Sequence, residues 1–155
     1  MNIENKIYDM LSKYNLKITT AESCTGGMVA SRLVNVSGMS WYFEEGFITY
    51  SDKAKNKYLN VPKEILEEYS AVSKQTAEYM ALGAAKVTES DIAVSVTGLA
   101  GPGGGTKEKP VGLVYIGCYY KGDVKVKEFI FSGDRTSVRE QACEEALRLV
   151  YERLV

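Results

Sequence analysis

The chain has 155 residues, of which 45% are apolar and 25% charged, and its net charge is −1. That is enough chain for one domain hiding roughly 70% of the surface it exposes when unfolded, without disulfide or metal staples. It is too evenly charged to present a general nucleic-acid surface. Histidine is absent altogether. This excludes the Ser-His-Asp triad, the Cys-His pair and histidine-based metal sites, and leaves Lys, Tyr, Asp, Glu, Cys or water to carry protons.

The opening Met1-Asn2-Ile3-Glu4-Asn5-Lys6 is too charged for a secretory leader, and no apolar run reaches the ~18 residues of a membrane span. Cys24, Cys118 and Cys143 are far apart and form no CxxC pair, so neither a disulfide framework nor a zinc site is expected. The expectation is one domain over residues 1–155, in the cytoplasm, with no nucleic-acid or membrane partner.

Ile3, Ile7, Met10, Leu11 and Tyr14 recur at helical spacing and predict a helix over about residues 2–14. Leu16–Thr20 reads as a strand, and after the turn Ala21-Glu22-Ser23-Cys24-Thr25-Gly26-Gly27 a helix runs from Met28 to about Val34. Gly46–Tyr50 reads as a second strand. Ser51-Asp52 reads as the N-cap of a short helix carrying Lys53, Lys55 and Lys57. Pro62 opens another helix, and Ser73 caps an alanine-rich one reaching Lys86. Ile92–Thr97 is a third strand, central in the sheet, leading into a glycine-rich stretch from Gly98 to Gly105. Val111–Tyr120 and Val124–Phe131 are two strands joined by Lys121-Gly122-Asp123, a hairpin signal. A last helix, Thr136–Leu154, sets Val138, Ala142, Ala146, Leu149 and Val150 along one face. The expected fold is α/β: a three-layer α/β/α sandwich around a mixed sheet, parallel strands first and a C-terminal antiparallel hairpin last.

Three loops follow strands, where ligands bind in open α/β sheets. In the first, Ser23 at a strand-to-helix turn can present its hydroxyl, while the amides of Cys24, Thr25, Gly26 and Gly27 can hold an oxyanion or a phosphate. The bland alternative is an ordinary helix N-cap. Cys24 is a second candidate nucleophile, set against the commoner fate of a small buried core cysteine. The second loop offers Tyr50 and the three lysines. An ordinary lysine titrates near ~10.4, so acting as a base near neutrality requires about 4 kcal/mol of destabilisation of its ammonium form, from burial or nearby positive charge. Spacing alone does not choose among the lysines, and a solvated basic helix start is the alternative. The third loop, Thr97-Gly98-Leu99-Ala100-Gly101 and the glycines beyond, lacks the Walker and dinucleotide fingerprints. It suggests either close backbone approach to a phosphate or carboxamide, or a flexible lead into the hairpin. Arg135, in Ser132-Gly133-Asp134-Arg135, offers a guanidinium for phosphate.

Six ordered blocks carry a resemblance: Thr20–Gly27, Gly46–Ser51, Ala71-Val72-Ser73, Thr97–Pro102, Lys109-Pro110-Val111-Gly112 and Phe131–Arg135. Together they resemble the CinA C-terminal domain family from about residue 2 onward, in its stand-alone form. The resemblance implies nicotinamide mononucleotide amidase activity, yielding nicotinate mononucleotide and ammonia, a step of pyridine-nucleotide salvage. It also implies a Ser, Tyr, Lys catalytic set. On the matching blocks these are Ser23, Tyr50 and Lys55, with Lys55 and Tyr50 moving protons. Cys24, Thr25, Gly26, Gly27, Thr97, Gly98, Gly101 and Arg135 are the expected substrate-binding residues. The partner implied is a small pyridine nucleotide, the assembly a homodimer, and no cofactor or metal is called for. The rival expectation is a non-catalytic nucleotide-sensing or partner-binding module linked to competence or the DNA-damage response.

Overall fold

The computed structural model describes residues 1–155 and has six α-helices and five strands. In chain order these are α1 (Ile3–Tyr14), β1 (Ile18–Glu22), α2 (Met28–Leu33), β2 (Phe47–Ile48), α3 (Asp52–Leu59), α4 (Lys63–Tyr69), α5 (Lys74–Thr88), β3 (Ile92–Gly98), β4 (Leu113–Tyr120), β5 (Asp123–Ile130) and α6 (Arg135–Leu154). A 3-10 turn, Met39–Trp41, lies between α2 and β2, in a stretch where the sequence predicts no element. The sheet order is β2-β1-β3-β4-β5. β1 pairs in parallel with β2 and β3, and β3-β4-β5 is antiparallel, which is the mixed sheet expected from the sequence.

All five β1 residues are buried, as are six of the seven in β3, as fits strands covered on both faces. One face packs under α1, α2 and α6, with Ile7, Leu11, Val29, Leu33, Val138, Ala142, Ala146 and Val150 in a single core. The other packs under α3 to α5, with Leu59, Leu66, Met80 and Ala84. Caps fix the helix starts: Ser51 Oγ accepts from Ala54 N (3.1 Å), Ser73 Oγ from Thr76 N (3.1 Å) and Asp134 Oδ1 from Ser137 N (2.9 Å). Each such cap is worth about 1 kcal/mol.

Strand ends differ from the expected ones throughout the sheet: β4 begins at Leu113 rather than Val111, and β5 spans Asp123–Ile130 rather than Val124–Phe131. β1 begins at Ile18 rather than Leu16, because its register is set by pairing Ile18 to Ile92 and Glu22 to Val96 on β3. β2 shrinks to two residues, since it meets only Ala21 and Glu22 at the sheet edge. The topology gathers the ends of β1, β2 and β3, the start of β4, and the entrances to α3, α5 and α6 at one end of the sheet. Gly83 of α5 lies against the last turn of α3, where a Cβ would collide with the Leu59 carbonyl. That close approach seats the helix carrying the three lysines.

Candidate active site

The turn leaving β1 does not use Ser23 as a helix cap. α2 starts at Met28 behind Gly27, which is at φ 105° and offers no side-chain cap. The fully buried Glu22 carboxylate takes over that role. Its Oε1 accepts from Thr25 Oγ1 (2.6 Å) and Val29 N (2.9 Å), and its Oε2 from Ala30 N (3.1 Å). Ser23 is thereby left free, with its N–H tied to Val96 O (2.9 Å). Thr25 is turned toward Glu22, and it, Gly26 and Gly27 do not line the cavity described below, contrary to expectation. Gly26 and Gly27 are required at φ 57° and 105° by the turn itself. Gly26 N is spent on Ser23 O (3.1 Å), whereas the Cys24 amide donates to nothing in the chain. It is the free donor that immediately follows the serine.

On α3, Lys55 and Leu59 are one turn apart and buried, while Lys53 and Lys57 are exposed. Lys55 is 1% exposed. Its Nζ donates to Thr49 O (2.8 Å) and to Ser23 Oγ (3.0 Å), and it makes no ion pair with a carboxylate. Burial depresses its pKa, with Asp52 and Cys24 pulling weakly the other way. As the neutral amine, the same Nζ can accept the Ser23 hydroxyl proton at this contact. Burial pushes the Cys24 thiol up to about 11, so Cys24 is a core thiol rather than a ready thiolate.

A cavity of about 240 Å³ opens beside this pair, walled by Ser23, Cys24, Lys55, Ala71, Val72 and Thr97, with Gly98, Gly101, Tyr50 and Arg135 further round. Larger grooves of 590 and 550 Å³ elsewhere on the surface hold no paired nucleophile and base. The expected catalytic set divides in two. Tyr50 is 61% exposed, and its hydroxyl accepts from Arg135 Nη2 (2.9 Å), with no hydrogen bond to Ser23 or Lys55. Arg135 Nη1 reaches Gly101 O (2.7 Å), so one guanidinium spans the mouth. Thr97 spends its hydroxyl on Ala71 O (2.7 Å). Gly98 owes its glycine to β4, since a Cβ there would lie 2.6 Å from Val114 Cγ2. No three His, Cys, Asp or Glu side chains converge as they would around a metal ion, and no helix is long and apolar enough to cross a membrane.

Comparison with known proteins bears on this arrangement. Residues 1–154 match the family model described as the CinA C-terminal domain. The chain belongs to the CinA C-terminal domain family. It is 54% identical over its whole length to a Clostridium novyi (strain NT) protein provisionally named competence-damage inducible, and 52% identical over 149 residues, 96% of this chain, to a CinA-like protein of Kosmotoga olearia. It spans 37% and 36% of those two relatives, little more than a third of their length. Among solved structures it superposes on the competence/damage inducible protein CihA of Agrobacterium tumefaciens with a TM-score of 0.91 and 39% identity, covering 98% of this chain and 94% of that one.

Two residues of this CinA-family chain shape the site without having been singled out in the sequence. Glu22 is one. The other is Arg139, one turn beyond Arg135, whose Nε donates to Cys24 O (2.8 Å) and Nη2 to Thr25 O (3.2 Å). Arg139 grips the serine turn from α6, as Glu22 does from within. Because C=O and N–H of a trans peptide point in opposite directions, holding the Cys24 carbonyl also orients the Thr25 amide. The i, i+4 repeat of Arg135 and Arg139 at the start of a helix was the available signal.

Proposed function

We propose that this chain hydrolyses the carboxamide of nicotinamide mononucleotide to nicotinate mononucleotide and ammonia by acyl transfer through Ser23. The observation that carries the reading is the buried, carboxylate-free Lys55 amine 3.0 Å from Ser23 Oγ. A lysine hidden in this way is held toward its neutral form, which is what a serine lacking histidine needs. Ser23 Oγ attacks the amide carbon as its proton passes to Lys55 Nζ. The oxyanion forms beside the Cys24 N–H, a donor already in place. Collapse breaks the C–N bond as the protonated Lys55 Nζ hands its proton to the departing nitrogen, which leaves as ammonia. Water, deprotonated by the same amine, then cleaves the acyl-enzyme and releases the acid.

The choice of nucleotide comes from the family resemblance, and the shape of the site agrees with it. The cavity, about 240 Å³, lies just below the ~300–1,000 Å³ common for ligand pockets. It suits a pyridine ring and part of a ribose, leaving the phosphate at the mouth beside Arg135. The ring's positive charge also works against protonation of Lys55. We assign Tyr50 to that mouth with Arg135, rather than to the proton path.

The test is release of ammonia and nicotinate mononucleotide from nicotinamide mononucleotide in buffer containing a chelator, with Ser23→Ala as the blank. Turnover lost in Ser23→Ala, with nucleotide affinity kept within a few fold, supports the reading. Tight nucleotide binding without product would favour a sensing module, and activity that returns only with added metal would overturn the mechanism.

A further inference from the structure

Two of the sequence blocks, Ala71-Val72-Ser73 and Lys109-Pro110-Val111-Gly112, have no part in the chemistry above, yet they meet beside the cavity. The turn between α4 and α5 passes through Ser70 at φ 70° and ψ 174°, a region normally left to glycine. Its carbonyls are all taken. Lys109 Nζ donates to Tyr69 O (2.6 Å), Val72 O (2.7 Å) and Ser70 Oγ (2.8 Å), which uses its three hydrogens. Ser70 O accepts from Thr76 Oγ1 (2.7 Å) and Ser73 Oγ (3.1 Å), and Ala71 O from Thr97 Oγ1 (2.7 Å). The amides of Ala71 and Val72, by contrast, donate to nothing in the chain, and both residues wall the cavity beside Ser23. Since each N–H points opposite the carbonyl of its own peptide, the Thr76, Ser73 and Thr97 hydroxyls on the Ser70 and Ala71 carbonyls set the directions of these two donors, while Lys109 pins the Tyr69 and Val72 carbonyls on either side and the Ser70 side chain between them.

We propose that Lys109 is a positioning residue that holds the strained Ser70–Val72 turn so that the Ala71 and Val72 amides donate to an acceptor oxygen of the bound substrate. The inference rests on the amidase reading above. A side chain that bridges three acceptors across one turn, at a residue whose backbone is strained, serves to fix a conformation the turn would otherwise leave. The ordering is done before the ligand arrives, which is how a preorganised wall raises affinity. Ser23 and Lys55 hang from β1 and α3, so their own contact does not depend on this clamp.

The experiment measures the dissociation constant of nicotinamide mononucleotide on a Ser23→Ala background. Separately, with Ser23 intact, it measures the rate at which phenylmethylsulfonyl fluoride sulfonylates the serine. Lys109→Met should weaken nucleotide binding by about tenfold or more, the worth of one to two hydrogen bonds, and leave sulfonylation within about twofold. Adding Ser70→Gly to Lys109→Met should recover at least about threefold in affinity, because glycine holds that backbone without the clamp. Thr97→Val, which frees only the Ala71 carbonyl, should weaken binding by about threefold and serves if Lys109→Met does not fold. If the free-nicotinamide affinity is unaffected while the nucleotide loses, the acceptor oxygen belongs to the ribosyl phosphate; if both lose, it belongs to the carboxamide. Unchanged nucleotide affinity in Lys109→Met, sulfonylation falling in parallel, or no recovery with Ser70→Gly would each overturn the inference while the amidase reading stands. A parent protein that does not bind the nucleotide would overturn both.

Discussion

Lys55→Met separates a working base from a buried lysine of purely structural use. Methionine keeps most of the aliphatic stem in place and removes the amine that stands 3.0 Å from Ser23 Oγ and 2.8 Å from Thr49 O. Losing a positioned general base costs about 10²–10⁴ in rate, equivalent to about 3–5 kcal/mol of transition-state stabilisation. Turnover of nicotinamide mononucleotide should fall by that factor. The parent rate should climb with pH as the lysine loses its proton, and that limb should vanish in the variant. Stability offers a second readout whose sign is fixed. Burial lowers the Lys55 pKa in the folded protein, so across the window from that lowered value up to the ordinary ~10.4 the unfolded chain binds the extra proton. Parent stability therefore gains with rising pH through the window, and the burial penalty is fully present below it. Lys55→Met lacks the group, so urea titrations at stepped pH should show the parent improving relative to the variant. Lys53→Met and Lys57→Met, both at exposed positions, should stay within about twofold in rate. A Lys55→Met protein that keeps more than about a tenth of the parent rate, or retains the pH limb, would remove Lys55 from the chemistry.

Cys24→Ala should keep turnover within about tenfold, and iodoacetamide at neutral pH should leave the parent active, because the thiol is held protonated; rapid inactivation would move the nucleophile to Cys24. Arg139→Gln should lower kcat by about tenfold with little change in KM, since it loosens the turn that carries the oxyanion donor rather than a substrate contact. Steady-state kinetics showing a pure KM effect would refute that role. Arg135→Ala should do the reverse, raising KM for the nucleotide about tenfold or more while kcat falls less. An unchanged KM would reduce Arg135 to a brace between Tyr50 and Gly101.

The architecture was largely legible because it rests on local signals. The caps Ser51 and Ser73, the Lys121-Gly122 hairpin turn at φ 52° and 78°, and the stripe from Val138 to Val150 each appear in the structure where residue type and spacing put them. Strand ends were less legible because pairing sets them: β1 runs on through Glu22 only because β3 lies alongside. The serine turn shows the same limit more sharply. A serine before a helix looks like a cap, and what frees Ser23 is Glu22 reaching over seven and eight residues of chain to the α2 amides. The lysine could not be chosen by composition, yet Lys55 and Leu59 form an i, i+4 pair on the buried side of α3, a stripe that hydrophobic periodicity overlooks when one member is charged. A contact between distant segments such as Lys109 to Val72 O leaves no trace in local spacing, and Arg139 to Cys24 O leaves only the i, i+4 arginine pair.

The candidate site follows from what a histidine-free protein must do to make a base. A lysine beside a carboxylate would stay charged, so the amine has to be buried among carbonyl and hydroxyl acceptors and kept out of ion pairs. Lys55 meets that condition through the packing of α3 against α5, which depends on Gly83 having no side chain to strike the Leu59 carbonyl. The features that lower the amine's pKa are thus core features, and they oppose stability at neutral pH. The rest of the fold holds the neighbouring backbone in place, with Glu22 and Arg139 on the serine turn and Thr97 and Lys109 on the opposite wall. Substitutions at those four positions should therefore change activity at less cost to the dyad itself than changes in the α3–α5 seam, where weaker packing would admit water to Lys55 and let its pKa rise back toward the ordinary lysine value.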